Sequence, residues 1–406
     1  MKTYCKKLDI NADFIEKCIH KCFEKKWNRS DVIRYLSKYS DKNVDEIREL
    51  VTVRYIAGQG CIHGRKELAS EIRKIAEQLE KEIKEKNVHL KAIKYRERYD
   101  TSSHKMRLIG IESMKQQVLD YVAVNALMDL FMDRIGDNQF ACVPNRGQKF
   151  GKLRIEKWIR KHPNKCTYVA KADIKKCYPS VNARTLKRLI RKYVKNDEAI
   201  YLVELLIDSY GGGLSIGSYL STWLCNFYLS FAYRYASEKL VKVRRKKSGE
   251  VVTKRLIFKV CFWMDDIVMF GSRKADLIRA VKLLDNFLRS ELDLQLKDDW
   301  RVYKMGFVDV MGYKIGKEFT TIRNKTFLKI RRTFMKALRS LHEFKKITIK
   351  QAQRLISFYG KIKETNSNNF KRKYKIDYII NKAKRRISHE SKISNKTAIC
   401  TCPAYP

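Results

Sequence analysis

Two adjacent carboxylates, Asp265 and Asp266, stand between two apolar runs in the segment CFWMDDIVMFG, residues 261–271. Short apolar runs that are rich in aromatic and branched residues predict buried strands. An unpaired carboxylate inside such a segment is costly and tends to take up a proton instead. We therefore expect a tight turn between two strands that holds both acids out to a cation. An ordinary solvated acidic turn explains this stretch alone equally well.

A third acid occupies a comparable position earlier in the chain. Residues 168–172 predict a strand, Asp173 stands at its end, and Pro179 ends the short segment after it. A strand-end Asp alone is a weak signal, because such residues often only cap a helix. Together with Asp265 and Asp266, however, it forms a set of carboxylates of the kind that holds two Mg²⁺ ions for phosphoryl transfer.

Two further segments contain residue types that suit phosphates. Residues 211–218 are glycine-rich and precede an apolar helix predicted for residues 219–240, so the backbone there can approach an anion. Residues 89–112 predict a hairpin whose cationic side chains could hold phosphates. A flexible loop and a solvated charged hairpin are the respective alternatives. The basic residues of the hairpin are Lys94, Arg96, Arg98, Lys105 and Arg107.

The charge of the chain points to a polyanionic partner. Its 406 residues include 88 Lys and Arg against 44 acids, a formal net charge of +44, and its 22 Tyr and 18 Phe can stack on bases. Nucleic acid is therefore favoured over a membrane surface. We find neither an apolar run near the roughly 18 residues of a membrane span nor a signal-peptide core. The scattered cysteines fit reduced thiols in the cytoplasm.

One cysteine cluster contains zinc-ligand residue types. Cys18, His20 and Cys22 lie close together, and Cys61 and His63 follow later. Their spacing fits no standard zinc finger closely, so core or surface thiols are favoured over a zinc site.

Helical periodicity accounts for much of the remaining chain. We expect helices over residues 12–26, 30–39, 44–55, 66–86, 112–133, 149–161, 275–291, 327–344 and 348–363, and short strands over residues 308–313 and 319–322. The segment after about residue 366 is basic and poorly patterned.

Over roughly residues 90–330 the chain resembles the reverse transcriptases, because several of their motifs occur in the same order. The matching segments are KMRLIGI (105–111), FACVPNRG (140–147), ADIKKCYPSVN (172–182), IGSYLS (216–221), WMDD (263–266), LDLQLK (292–297) and VMGY (310–313). The resemblance implies an α+β right-hand polymerase whose palm is an antiparallel sheet with helices. The implied domains are a helical extension at residues 1–88, fingers and palm at 89–322, a helical thumb at 323–365 and a basic tail at 366–406.

The resemblance also implies RNA-directed DNA polymerisation by two-metal-ion nucleotidyl transfer, with two Mg²⁺ ions as cofactors and Mn²⁺ as an alternative. The implied metal ligands are Asp173, Ile174, Asp265 and Asp266. Lys297 is the implied general acid. The implied nucleotide-binding residues are Lys105, Arg107, Ile174, Tyr178 and Gly217. The implied primer and template residues are Arg146, Ser221, Met311, Gly312 and Tyr313.

Two positions depart from the family pattern. Trp263 stands where Tyr is usual, and Ile216 replaces the usual Gln. A residue other than Gln resembles diversity-generating and defence-associated bacterial members. We expect antiphage defence with a dedicated non-coding RNA, and a diversity-generating element is the alternative.

Other functions and properties remain open. Untemplated or protein-primed DNA synthesis would use the same site, whereas an RNA-binding scaffold without turnover would not. The expected partners are an RNA template, the DNA product and dNTPs, with no membrane. Priming and oligomeric state are undetermined.

Tyr178 suggests which sugar the site accepts. It lies five residues after Asp173, where the family places an aromatic ring beneath the sugar of the incoming nucleotide. A bulky ring leaves no room for a 2′-hydroxyl, so the resemblance implies a DNA product. The alternative is that Tyr178 is a core aromatic beside Pro179.

Overall fold

The computed structural model describes residues 2–52, 54–56, 60–62, 64–100, 105–245 and 247–400. The chain divides into two compact units. The first comprises Met1–Thr52, Gly64–Phe150 and Asn164–Lys304, and the second comprises Val53–His63, Gly151–Pro163 and Met305–Pro406.

The helices are α1 (Ala12–Phe23), α2 (Ser30–Ser37), α3 (Val44–Val51), α4 (Ala69–Lys84), α5 (Met114–Ala126), α6 (Met128–Arg134), α7 (Gln148–Lys161), α8 (Cys177–Ser180), α9 (Ala183–Tyr193), α10 (Asp197–Asp208), α11 (Tyr219–Arg234), α12 (Lys274–Leu292), α13 (Asn324–Phe344), α14 (Ile349–Lys363), α15 (Asn368–Lys373) and α16 (Ile376–Cys400). Short 3-10 segments cover Gly64–Leu68 and Pro163–Lys165, and a π-helical turn covers Tyr235–Lys239.

The strands are β1 (Arg54–Ile56), β2 (Gly60–Ile62), β3 (Lys94–Asp100), β4 (Lys105–Ile111), β5 (Tyr168–Asp173), β6 (Val241–Arg245), β7 (Val251–Arg255), β8 (Lys259–Trp263), β9 (Asp266–Gly271), β10 (Arg301–Lys304), β11 (Phe307–Val310), β12 (Tyr313–Gly316) and β13 (Thr320–Ile322).

A four-stranded antiparallel sheet forms the centre of the first unit, in the order β10-β5-β9-β8. Ile267, Val268, Met269 and Phe270 of β9 are all buried, with at most 1% exposure. Successive strand residues point to opposite faces, so both faces of β9 are covered. This explains why the sequence shows a continuous apolar run instead of alternation. Helix α12 packs on β5, β9 and β10.

The N-terminal helices share the hydrophobic core of this sheet. Ile15 and Ile19 of α1 and Ile75 and Leu79 of α4 are fully buried, and α1 packs against both α4 and α5. The cluster that they enter also contains Ile267 of β9. Packing within this unit therefore continues across the predicted boundary at residue 88, which remains a prediction from sequence.

Two predicted elements of the first unit differ in the structure. The helix expected over residues 112–133 divides at Leu127 into α5 and α6. The helix expected over residues 44–55 ends at Val51, and its last residues belong to β1 instead. The basic hairpin predicted for residues 89–112 is confirmed as the antiparallel pair β3–β4.

The second unit contains a three-stranded antiparallel sheet, β11-β12-β13, and four C-terminal helices. The single strand expected over residues 308–313 is wrong, because Met311 and Gly312 form the turn between β11 and β12. Both have positive φ, +54° and +84°, which suits a tight two-residue hairpin turn. The helix predicted for residues 348–363 is confirmed, and Thr348 caps it in a capping box with Gln351.

The C-terminal segment differs most from its prediction. Instead of a poorly patterned tail, residues after 366 form α15 and α16. Ile376, Ile379, Ile380 and Ala383 are buried, and their spacing places them on one face of α16. This face packs against α14. Lys382, and the run Lys384, Arg385 and Arg386 directly after the stripe, hid it in the sequence.

The predicted α+β class is confirmed by antiparallel sheets packed with helices. Within the described part of the chain, no helix combines the length and apolar character that a membrane crossing requires.

Candidate active site

A two-residue turn of Met264 and Asp265 joins β8 to β9, since Trp263 pairs directly with Asp266. The predicted tight turn is therefore present, but only one of the two acids lies in it. Asp266 is the first residue of β9. Met264 has a φ of +52°, and a non-glycine residue adopts this left-handed conformation at a cost of about 1–2 kcal/mol. The turn is thus locally strained beside the two carboxylates.

The pairing of β5 with β9 places the third acid beside this turn. Asp173, the last residue of β5, pairs directly with Asp266. The next residue, Ile174, is buried, and its amide donates a 3.0 Å hydrogen bond to the carbonyl of Asp265. The antiparallel register therefore brings all three predicted acids to one end of the sheet, although they lie about 90 positions apart in sequence.

The crowding of carboxylates changes their protonation. Burial, and after it the negative charge of Asp173, raises the pKa of Asp265 to about 6, with a smaller effect from Asp266. Oδ1 of Asp173 is buried and has no hydrogen-bond partner among the described residues. A buried acceptor without a donor is costly. The site therefore has an excess of negative charge and one unused oxygen.

Two lysines lie beside these acids. Nζ of Lys297 hydrogen-bonds Oδ2 of Asp173, and the Lys297 amide donates to the Asp173 carbonyl at 2.8 Å. Burial lowers the pKa of Lys297, but its hydrogen bond to Asp173 and the nearby negative charges outweigh burial and raise it. Nζ of Lys171 lies 3.9 Å from Oδ1 of Asp266.

The donor set fits a divalent cation of the Mg²⁺ type. Within the part of the chain that the structure describes, no group of three or more acidic, His or Cys side chains is already gathered around one point. The carboxylate oxygens are nevertheless the hard ligands that Mg²⁺ and Mn²⁺ prefer. A cation would supply a partner for the unused Oδ1 of Asp173 and would lower the raised pKa of Asp265.

Tyr178 lies on the short helix α8, four residues beyond Ile174. The backbone enters α8 through Lys176, whose φ of +45° makes a sharp bend. The Tyr178 ring is half-buried, and its hydroxyl is close enough to hydrogen-bond Thr222. Its carbonyl accepts a 2.8 Å hydrogen bond from the amide of Leu214. The Tyr178 backbone is thus bonded to the glycine-rich loop, residues 211–218, and its hydroxyl lies near Thr222 of α11.

Gly217 allows the glycine-rich loop to contact β4. The carbonyl of Ile216 accepts a 2.8 Å hydrogen bond from the Gly110 amide. Gly217 has a φ of +118°, and a Cβ on it would lie only 2.7 Å from the Gly110 carbonyl oxygen. Glycine is therefore required both for its conformation and for this close approach. Ser221 is buried, and its Oγ accepts from the Ser215 amide at 3.2 Å, so it holds the same loop.

The remaining predicted residues of the first unit lie elsewhere in it. Lys105 and Arg107 are exposed on β4, and Nε of Arg107 bonds Oδ2 of Asp100 at 3.1 Å. Arg146 uses Nη1 to bond the carbonyls of Gly136, at 2.5 Å, and Gln139, at 3.2 Å. The Arg146 guanidinium is therefore engaged in bracing its own loop.

The predicted primer residues belong to the second unit. Met311 and Gly312 form the β11–β12 turn, and Tyr313 begins β12. Met311 and Tyr313 are each 4% exposed. The Arg323 amide donates to the Gly312 carbonyl at 3.0 Å, which fixes the turn.

Sequence reasoning missed two polar residues of the first unit. Lys171 precedes Asp173 by two positions, so both point to the same face of β5, and this alternation could have revealed it. Asp120 of α5 is fully buried and bonds the start of α11. No local pattern marks Asp120, because only the packing of α5 shows that it is buried.

The residues considered for zinc do not form a site in the described part of the chain. Cys18 and Cys22 are buried in the core, and burial raises their pKa to about 12 and about 11. They therefore stay as thiols, whereas zinc binds thiolates. His20 is exposed. His63 and the Cys61 side chain lie outside the described residues.

The sequence matches the family described as reverse transcriptase (RNA-dependent DNA polymerase) over residues 83–299, more than half of the chain. No curated protein matches the sequence of this chain. A solved structure of apo telomerase from Candida tropicalis, truncated from its C-terminal domain, aligns with 13% identity and a TM-score of 0.38. The alignment covers 57% of this chain and 54% of the telomerase chain, so the chain spans about half the length of that structure. The sequence match and the antiparallel sheet with helices agree with a right-hand polymerase fold, and the chain belongs to the reverse transcriptase (RNA-dependent DNA polymerase) family.

Proposed function

We propose that this chain is an RNA-templated DNA polymerase whose nucleotidyl-transfer centre is formed by Asp173, Asp265 and Asp266. The observation that carries the proposal is the pairing of Asp173 with Asp266 beside the turn residue Asp265. The crowding of the three carboxylates raises the pKa of Asp265, and one oxygen of Asp173 has no hydrogen-bond partner among the described residues, as a cation site requires. Family membership supports the same function.

The acids would hold two divalent metal ions, which supply positive charge for the attacking 3′-oxygen and the leaving pyrophosphate. We assign the metal ligands to the side chains of Asp173, Asp265 and Asp266 and to the backbone of Ile174, whose side chain is buried. Lys297 keeps its proton at neutral pH, because the Asp173 carboxylate raises its pKa. It is therefore suited to donate that proton to pyrophosphate.

The incoming nucleotide would lie between the hairpin β3–β4 and the glycine-rich loop. Lys105 and Arg107 are exposed cations for its triphosphate, and Arg107 would exchange its ion pair with Asp100 for a phosphate. Gly217 is exposed and would let the loop backbone approach the nucleotide. The Tyr178 ring would exclude a 2′-hydroxyl.

The primer and template would use further residues of the resembling motifs. Met311, Gly312 and Tyr313 are proposed to hold the primer end by means of the β11–β12 turn. Ser221 and Arg146 are proposed to act indirectly, because Ser221 bonds the backbone of the glycine-rich loop and Arg146 bonds the backbone of its own loop. Residues 323–365 would form the thumb, and residues 89–322 the fingers and palm.

Incorporation of dNTPs on a primed RNA with Mg²⁺ tests this function. We expect extension by the native chain and none by the double variant Asp265→Ala, Asp266→Ala. The template sequence must appear in the product, because a product that ignores the template would indicate untemplated synthesis. Failure to extend any primed RNA, including RNA that co-purifies with the chain, would favour an RNA-binding scaffold.

We further propose that the chain acts in bacterial antiphage defence with a dedicated non-coding RNA. The support is Ile216 in place of the usual Gln and the helices before residue 88 that are packed into the same core as the sheet. Sequencing the RNA and DNA that co-purify with the chain tests this proposal. One recurrent non-coding RNA with its cDNA is expected, whereas cDNA from a variable protein gene would indicate a diversity-generating element.

A further inference from the structure

A buried carboxylate holds the start of the helix that follows the glycine-rich loop. Asp120 is fully buried in α5, and its Oδ2 accepts from Ser218 Oγ at 2.6 Å and from the Leu220 amide at 3.0 Å. The first amides of a helix lack partners within it and carry partial positive charge. A single carboxylate oxygen therefore fixes both the N-cap residue Ser218 and the first turn of α11.

Ser218 relays this contact into the loop. A hydroxyl has one proton to donate and two lone pairs. Ser218 donates to Asp120 and accepts from the Tyr210 hydroxyl and from the Ser221 amide, both at 3.0 Å. Ser221 in turn accepts from the Ser215 amide at 3.2 Å. These bonds hold the loop on both sides of Gly217, so the position of Gly217 depends on Asp120.

The other oxygen of Asp120 faces a second buried acid. Oδ1 of Asp120 and Oε1 of Glu112 are both buried without a donor among the described residues. Their carboxyl groups are nevertheless close enough to hydrogen-bond one another. Two carboxylates at such a distance resist joint ionisation, and one proton between them gives each unused oxygen a partner.

We propose that Asp120 is a positioning residue for the nucleotide-facing loop, and that a proton held between Asp120 and Glu112 keeps it in place. The proposal rests on the polymerase function above, because that function gives the loop its nucleotide. Asp120 itself does not touch the reacting atoms. It acts through Ser218 and Leu220 on the backbone around Gly217.

The shared proton makes the loop sensitive to pH. Burial and the charge of Asp120 raise the pKa of Glu112 to about 8, and burial raises that of Asp120. The charge of Lys26 opposes the shift at Glu112. The other ionisable neighbours have pKa values raised by burial, to about 11 for Cys22, to about 12 for Tyr121 and well above its usual value for Tyr210. Among these groups, Glu112 loses its proton between pH 7 and 9.

Glu112→Gln tests the effect of the shared proton by itself. Its amide has the shape of the protonated acid and donates to Asp120 at every pH. The test is amide hydrogen exchange over residues 211–221, corrected for the intrinsic exchange rates at each pH. In the native chain, protection should fall about tenfold from pH 7 to 9, while in Glu112→Gln it should stay constant. Equal pH dependence in both proteins would overturn the shared proton.

Two substitutions at Asp120 test the positioning role. Asp120→Asn keeps an acceptor for Ser218 and Leu220 and should retain loop protection. Asp120→Ala removes it and should raise the dNTP KM roughly tenfold with a smaller change in kcat. The positioning role of Asp120 would be overturned by an unchanged dNTP KM in Asp120→Ala. It would also be overturned if Asp120→Asn and Asp120→Ala changed KM and kcat to the same extent. If Asp120→Ala does not fold, Asp120→Ser, whose acceptor is shorter, replaces it, and the same rise in the dNTP KM is expected.

The exchange measurement does not require turnover. A native chain that extends no primer would contradict the polymerase function, yet its loop could still show the pH dependence removed by Glu112→Gln. Conversely, an active chain with a pH-independent loop would contradict only the inference about Asp120 and Glu112.

Discussion

Asp173 and Asp266 occupy directly opposed positions on the neighbouring antiparallel strands β5 and β9. Like charges directly opposite one another destabilise a sheet. Here the pair also adjoins Asp265, whose pKa burial and the charge of Asp173 raise to about 6. An arrangement that works against folding suits the proposed cation site, because carboxylate oxygens are ligands that Mg²⁺ prefers.

Asp265→Asn should stabilise the protein when metals are removed. A carboxyl whose pKa is raised on folding, from about 4 to about 6, stabilises the fold below pH 4 and loses that contribution as the pH rises through 6. The neutral amide of Asn does not ionise, so the variant does not lose this stability as the pH rises. In EDTA at pH 7.5, we expect a Tm above that of the native chain by a few degrees, since about 1 kcal/mol corresponds to roughly 2–4 °C in a domain of about 150–250 residues and to somewhat less in a larger one.

The same comparison at pH 4 is the control for this prediction. There the native Asp265 is protonated in the folded state, so the difference in Tm should be largely lost. At pH 7.5, Asp265→Asn should abolish incorporation in Mg²⁺. A variant that is less stable than the native chain at pH 7.5 would show that Asp265 has a structural role.

Lys297→Met should slow the chemical step. Lys297 bonds Asp173 and keeps its proton, so its loss should lower the single-turnover rate by about 10²–10⁴-fold if it protonates pyrophosphate. Lys171→Met is the matched control, because Lys171 lies 3.9 Å from Asp266 and supplies a similar charge. We expect its rate to stay within about fivefold of the native rate. Equal losses in both variants would indicate general electrostatics and not proton donation by Lys297.

Sequence patterns predicted the elements of the site well where local chemistry determines them. The apolar runs around Asp265 specify the two buried strands β8 and β9. The order of several short motifs then linked Asp173 to the same site. By contrast, the register that opposes Asp173 to Asp266 is a long-range pairing, so no window of sequence contains it.

The features that sequence did not reveal depend on tertiary packing. Asp120 looks like a solvated helix residue, and only the packing of α5 shows that it is buried. Arg146 looks like a nucleic-acid contact, yet its guanidinium bonds two backbone carbonyls. The apolar face of α16 is diluted by lysines and arginines, and its partner α14 decides which side is buried. The positive φ of Met264 likewise follows from the turn and not from residue preference.

Tyr178→Ala should admit ribonucleotides. The half-buried ring follows Asp173 by five residues, and we propose that its removal leaves space for a 2′-hydroxyl. We expect the ratio of rNTP to dNTP efficiency, measured as kcat/KM on the same primed RNA, to rise about a hundredfold. Tyr178→Phe is the control, because it keeps the ring and loses only the hydroxyl near Thr222. An unchanged ratio in Tyr178→Ala would show that another group selects the sugar.

Gly217→Ala should displace the glycine-rich loop from β4. A Cβ at Gly217 would lie 2.7 Å from the Gly110 carbonyl oxygen, a backbone atom that cannot rotate away. Relief of this clash requires the loop to move and weakens the bond between the Gly110 amide and the Ile216 carbonyl. Because the loop is proposed to hold the nucleotide, we expect the dNTP KM to rise about tenfold or more, as a loss of roughly 1.4 kcal/mol would produce.

Gly212→Ala provides a control that separates the clash from backbone strain. Gly212 has a φ of +123°, close to the +118° of Gly217, so alanine is strained to a similar extent at both positions. A Cβ at Gly212 meets no atom within 4 Å, whereas a Cβ at Gly217 meets β4. We therefore expect Gly212→Ala to lower the Tm through backbone strain alone, by less than Gly217→Ala does, with little change in the dNTP KM. Equal KM values for the two variants would show that the contact between Gly217 and Gly110 does not position the nucleotide.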